Sequence, residues 1–252
     1  MKRLILIFAI ITFAFYASAQ DLQKQAADAY TKGNYTKSVE LLETLLTQKG
    51  ESADLYYNLG NAYYKSDRAA ESILNYEKAL LLAPGDDDIR HNLEIVKLKT
   101  VDKITPVGTF LLADWLQSVL MQMSSNAWAK SAIILFLFFI TALFLYFFAG
   151  RVWLKKVSFF GGLFVLFLSL FANYASYAQK NLLEEQKQAI VFSSSIVAKS
   201  TPDESGTDLF VLHQGTKVTL KDKVGEWTNV ALEDGNVGWI QNSSFQVISL
   251  LK

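Results

Sequence analysis

The sequence predicts a multidomain chain: an all-α repeat module, two transmembrane helices and a small all-β barrel. Three observations predict it. A helical pattern recurs with a 34-residue period between residues 20 and 104. Two almost uninterrupted apolar runs of 19 residues follow, 131–149 and 157–175. From about residue 191 the pattern changes to short alternating strands punctuated by glycine turns.

The first residues read as a targeting signal. Lys2 and Arg3 precede the apolar run Leu4 to Phe15, and Ala17-Ser18-Ala19 supplies a small-residue cleavage pattern. The alternative is a retained anchor. Its twelve residues, all apolar but Thr12, rise only about 18 Å as a helix, short of a ~30 Å hydrocarbon core. A signal peptide over 1–19, with Gln20 as the mature N-terminus, is therefore the expectation. No cysteine stands at the cleavage point, so a lipoprotein is excluded.

Tyr57-Asn58-Leu59-Gly60-Asn61-Ala62-Tyr63-Tyr64 opens the clearest repeat, with Tyr76, Ala79 and Pro84 downstream. Gly60 and Ala79 suit close approach of paired helices. Pro84 lacks the amide hydrogen needed to continue the second helix. An earlier copy has Gly33-Asn34-Tyr35 at its turn, then Leu41, Leu42, Leu45 and Leu46 on one face; Ser38 and Ser72 are in register, 34 residues apart. A third unit gives one helix, where His91-Asn92-Leu93-Glu94 echoes Tyr57-Asn58-Leu59-Gly60 and Asp86, Asp87 and Asp88 lie at the helix start. The plain alternative is a generic helical hairpin bundle. The spacings resemble the tetratricopeptide repeat, which implies a domain over 20–104 of two repeats plus a capping helix.

Tyr57, Asn61, Tyr64 and Lys65 fall at i, i+4, i+7 and i+8, so they share one helix face. Tyr30 is in register with Tyr64. In the repeat family such positions line a concave groove, which implies a peptide-binding site at Tyr30, Tyr57, Asn61, Tyr64 and Lys65. The family's carboxylate clamp is not supported, because Asp88 and Tyr57 stand where that clamp uses cations. The competing reading makes Asn61 and Tyr64 consensus residues without a ligand.

Each 19-residue run gives about 28 Å of helix, which suits a bilayer. Arg151, Lys155 and Lys156 in the connection 150–156 place it in the cytoplasm by the positive-inside rule. A leader would independently send residues 20–130 across the membrane. Both signals predict that the N- and C-terminal modules are periplasmic. Asn173 is expected to reach the interface, and Gly161-Gly162 allows close helix packing. Between repeats and spans, Phe110, Leu111, Leu112, Trp115, Leu116, Val119, Leu120 and Met123 recur at helical spacing. An amphipathic juxtamembrane helix is expected over 105–126, lying on the membrane or docking a partner.

In the last segment Val218 and Leu220 alternate, as do Val230 and Leu232, with turns at Gly215, Gly225, Asp234-Gly235 and Gly238. Leu212-His213-Gln214-Gly215-Thr216-Lys217-Val218, Trp227-Thr228-Asn229-Val230 and Gly238-Trp239-Ile240 together resemble bacterial SH3-like domains, here over 190–252. Trp227 and Trp239 are its largest apolar groups and are expected in its core, with ligand contact as the second reading.

Composition narrows the function classes. The chain of 252 residues has 24 basic and 24 acidic side chains and no cysteine. Without a basic stripe there is no footprint for nucleic acid. Without cysteine there is no disulfide, thiol nucleophile or Cys-ligated metal. His91 and His213 have no metal-ligand spacing around them, and Asp86-Asp87-Asp88 reads as a solvated helix start. No G-x-S-x-G, H-E-x-x-H or P-loop is present. The expectation is no enzyme, no catalytic residue, no metal and no cofactor.

The whole order of leader, repeats, two spans around a basic connection and an SH3-like module resembles the BatE family of Bacteroidetes aerotolerance (Bat) operons. The resemblance implies a scaffold working beside von Willebrand factor A-type Bat membrane proteins and, indirectly, a MoxR-type ATPase under oxygen or envelope stress. The alternative is an envelope sensor that reads peptidoglycan through the SH3-like module.

Overall fold

The computed structural model describes residues 21–105, 111–185 and 187–250. The expected signal peptide and Phe110 lie outside the described residues. The chain forms two compact units, one holding the repeats and the β module, the other the apolar helices.

The repeats form five helices: α1 over 21–31, α2 Tyr35–Lys49, α3 Ala53–Lys65, α4 Ala69–Leu82 and α5 Asp87–Lys97. Caps explain the boundaries. Asn34, Ser52 and Asp86 each accept from a backbone amide of the helix they open. In each repeat the turn between the first (A) and second (B) helix, α1–α2 and α3–α4, needs one left-handed residue. Gly33 (φ 77°) provides it in the first repeat and Asp67 (φ 55°), 34 residues on, in the second. Aspartate is among the few side chains that tolerate that conformation.

The 34-residue register is also a packing register. Ser38 Oγ donates to the Ala26 carbonyl at 3.0 Å, and Ser72 Oγ to the Gly60 carbonyl at 2.8 Å. Both serines are buried, so each pins its B helix to its A helix with the hydroxyl satisfied. At Gly60 an added Cβ would lie 2.6 Å from the Tyr76 ring. The ring rests directly on the α3 backbone, as the Gly60 spacing predicts.

The β module is one antiparallel sheet: β1 Gln188–Val191, β2 Ser195–Lys199, β3 Asp208–His213, β4 Lys217–Val224, β5 Trp227–Ala231, β6 Val237–Gln241 and β7 Phe245–Val247, ordered β3-β2-β6-β5-β4-β1-β7. Its core is Ala189, Val191, Ala198, Leu212, Val218, Val230 and Ile240. Here the structure corrects the sequence. Trp227 and Trp239 are only half-buried, while the alternating Thr228, Val230, Gly238 and Ile240 point inward. A Cβ on Gly238 would come 2.9 Å from Ala198 and 3.3 Å from the Phe210 ring, so the space behind this strand is already filled.

β1 has both faces buried. Ala189 and Val191 enter the β core, and Ile190 on the other face is equally covered because β1 packs on α4. Lys217, paired with Ile190, lies on that same face and reaches Glu77 of α4 at 2.8 Å. The strap after α5 adds Asp102. Its Oδ1 lies 2.7 Å from His213 Nδ1, and its Oδ2 accepts from the His213 amide at 2.7 Å and Thr216 Oγ1 at 2.5 Å. Burial works to raise the Asp102 carboxyl, but these hydrogen bonds outweigh it and hold the group below the usual carboxylate range. Its contribution is therefore complete above the unfolded value near ~3.9 and is lost as pH falls through the folded one.

In the other unit, α6 covers Leu111–Leu120, α7 Ser125–Phe148 and α8 Val152–Glu185. α7 and α8 are both long and apolar enough to cross a membrane. They exceed the expected spans, and α8 already begins at Val152, so Lys155 and Lys156 stand in its first turns rather than in a loop. The two helices form a hairpin joined by polar contacts. Ser169 Oγ donates to the Ala132 carbonyl at 2.9 Å, Ser176 Oγ to Ser125 at 2.9 Å, and Gln179 Nε2 to Met123 at 2.7 Å. Gly162 faces Ala142 closely, whereas Gly161 faces open space. Asn173 is exposed. Only Ala132 of α7 is buried, while Phe138, Phe147 and their neighbours are bare, unlike the core helix of a soluble protein. On α6, Leu120 is buried and Trp115 exposed.

Candidate peptide-binding face of the repeats

The residues singled out by spacing do gather on the first helices, but not as one open surface. Tyr57 and Asn61 face α5. Asn92 Nδ2 donates to Tyr57 Oη at 2.9 Å and to Asn61 Oδ1 at 3.1 Å, and Tyr76 Oη donates to the same Asn61 oxygen at 2.6 Å. The Asn61 oxygen therefore joins three helices internally, contrary to its expected role as a free groove amide. Removing it would take away the acceptor of the Tyr76 hydroxyl. Tyr64 lies further along, with Lys99 Nζ 4.2 Å from its ring centroid. Lys65 is exposed. Tyr30 packs edge-on against Tyr35 with centroids 5.2 Å apart.

An open place lies one repeat earlier. A cavity of about 240 Å³ is lined by Gln23, Ala26, Ala27, Tyr30, Thr31, Ser38, Leu42, Asn58 and Asn61. The repeat register explains why it is empty. Asn58 is the 34-residue counterpart of Asn92, and Ala27 and Gln23 are the counterparts of Asn61 and Tyr57. Asn92 finds a tyrosine hydroxyl and an amide oxygen; Asn58 faces an alanine. Asn58 is exposed, and its side chain makes no hydrogen bond among the described residues. Asn58, Gln23 and Thr31 were missed by reading one helix face alone, although the in-register pair Asn58 and Asn92 was visible in the sequence.

The site is neutral in character. Burial, with Tyr35 and Tyr57 nearby, raises the Tyr30 phenol, so the ring stays uncharged at ordinary pH. It offers amide hydrogen-bonding groups, one aromatic wall and an apolar floor of Ala26 and Leu42. That is suited to an extended peptide, whose backbone needs hydrogen-bond partners and whose side chain fills the notch.

A family model described as TPR repeat matches residues 27–67, and one described as tetratricopeptide repeat matches residues 53–86. This chain carries tetratricopeptide repeats. The matched segments cover the α1–α2 and α3–α4 turns and the Gly60–Tyr76 contact, and α5 packs on α4. Comparison with curated proteins gives no match. Tetratricopeptide repeats imply protein partners in general.

Proposed function

We propose that the protein is a non-enzymatic scaffold of the bacterial inner membrane that docks a segment of a partner protein on the concave face of its tetratricopeptide repeats. The observation that carries this reading is the exposed Asn58 side chain, which lines the cavity and makes no hydrogen bond among the described residues. The resemblance to the BatE family supplies the finer statement: the partners are von Willebrand factor A-type Bat membrane proteins, with a MoxR-type ATPase acting indirectly, in an aerotolerance or envelope-stress complex. Asn58→Ala with Lys65→Ala should leave helicity unchanged, since both side chains are exposed. It should lower recovery of the von Willebrand factor A-type protein from solubilised membranes at least severalfold. Full recovery would move docking off this face. Asn61 is unsuitable for the test because its loss disturbs packing.

The membrane arrangement follows from the hairpin. The bare apolar surface of α7 and α8 suits lipid. A hairpin returns the chain to the side it left, in keeping with the repeats and the β module sharing one compact unit. The cations Arg151, Lys155 and Lys156 put the hairpin tip in the cytoplasm and both modules in the periplasm. Thr36→Cys and Lys221→Cys, both at exposed positions, should react with an impermeant thiol reagent on spheroplasts, and Lys156→Cys should not. Labelling of Lys156→Cys alone would invert the topology.

A second reading, a sensor that binds peptidoglycan through the SH3-like module, is favoured by one feature. Trp227 and Trp239 stand on the outer sheet face, with Asn229 opposite Trp239 and Gln241 opposite Trp227. Half-exposed indoles beside amides suit a cell-wall ligand.

A further inference from the structure

We propose that the contact between the repeats and the β module is a switchable latch with two carboxylate bolts, closed while Asp102 and Glu77 keep their partners and open when either loses them. The latch is independent of what the groove binds. The β3–β4 turn is its seat. Gly215 adopts φ 90°, and a Cβ there would lie 2.8 Å from Thr100 of the strap and 3.3 Å from Ile73 of α4. The turn thus sits against both elements, and a larger residue would lift it off.

The first bolt is Asp102, whose carboxylate takes all three of its hydrogen bonds from residues of the β module. The second is Glu77. Its side chain is only 9% exposed; Oε2 holds Lys217, and Oε1 is buried with no hydrogen-bond partner among the described residues. A buried carboxylate with a single cation is an all-or-none device. Docking with the cation absent would bury a bare charge, so separation and hydration of the carboxylate become the favoured outcome. Other charged groups facing the interface are Glu94 and Lys97 of α5, Lys103 of the strap and Glu233 of the β module around a cleft of about 370 Å³, and Glu43, Arg68, Glu71 and Lys78 around a second cleft shared with Phe192 and Gln246. Lys97 is already paired with Glu94, and Lys103 donates to the Lys97 and Leu98 carbonyls. Neither lysine is placed to substitute for Lys217.

The latch has a topological consequence. The strap carrying Asp102 is the stem that leads toward the apolar helices, and β1, paired with the strand of Lys217, begins the chain's return at Gln188. Closing the latch clips the two stems together. The relative orientation of the modules is then set by these two carboxylates rather than by the hairpin.

The chain has no cysteine, so spin labels at Thr36→Cys and Lys221→Cys in the full-length protein in nanodiscs report the distance across the latch. The parent should give one narrow distance. Lys217→Met and Asp102→Ala should each raise the open population at least tenfold, seen as a long, broad component, with helicity unchanged. Glu77→Leu combined with Lys217→Met should restore the narrow distance, because no bare charge is left to bury. A broad distance in the parent, a narrow one in both single variants, or a failure of the double variant to close would overturn the proposal. Asp102 lies outside both cores, so Asp102→Ala decides the matter even where Lys217→Met misfolds.

Discussion

Tyr76→Ala is expected to destabilise the repeats by about 3–5 kcal/mol, a large share of the ~5–15 kcal/mol typical of a whole domain. The side chain is 1% exposed and its ring lies on the Gly60 backbone. Alanine leaves a cavity between α3 and α4 that two capped helices cannot easily close. It also strips Asn61 of the hydroxyl it accepts from. Tyr76→Phe separates the two effects: it keeps the ring and loses only the hydrogen bond, about 1 kcal/mol. Gly60→Ala should fall between them. The helix gains roughly 1 kcal/mol in propensity, but the new methyl must displace a ring that has nowhere to go, at a cost of about 1–3 kcal/mol or more. Amide hydrogen exchange of α3 and α4 in the full-length chain measures all three. A Tyr76→Ala variant with parental protection would mean that the two helices are held together by something other than this contact.

How much of this was legible beforehand depends on the distance over which each feature is encoded. Period and punctuation are local, and they located the repeats, the apolar helices and the strands. The in-register serines went further than a secondary-structure signal: Ser38 and Ser72 repeat one hydrogen bond in two places. Faces were harder. Period two in the β module says that residues alternate, not which set is inward. The weight given to indole size pointed the wrong way, because the space behind Gly238 is already taken by Ala198 and the Phe210 ring. In the repeats, a single helix face correctly brought Tyr57 and Asn61 together. It could not show that Tyr76 from α4 and Asn92 from α5 converge on the same amide oxygen. The latch lay furthest from view. Asp102 and His213 are 111 residues apart, in a strap and a strand without shared periodicity. Contacts between modules leave no local pattern, since each partner looks like an ordinary surface residue until the two modules meet.

The β module offers the sharpest contrast between two neighbouring residues. Ile240→Ala is expected to cost about 2–5 kcal/mol, and Trp239→Ala clearly less, although tryptophan is much the larger side chain. Ile240 is fully buried among Val230, Leu212 and Ala198, where deleted methyl groups leave a void. Trp239 alternates to the outer face and is half-covered there, so part of its ring already meets solvent in the folded state, and truncation removes only the covered part. Hydrogen exchange across β5 and β6 of the full-length protein, or a urea midpoint for the same strands, ranks the two variants. The ranking also bears on function. If Trp239→Ala keeps near-parental protection while sedimentation with purified cell walls falls, the outer face is a ligand surface and the sensor reading gains ground. If protection and sedimentation are both unchanged, the indole is a passive surface residue and the repeats remain the module that recognises a partner. Should Trp239→Ala prove as damaging as Ile240→Ala, the assignment of inner and outer faces made here would be wrong, and with it the reason for expecting a ligand on that side of the sheet.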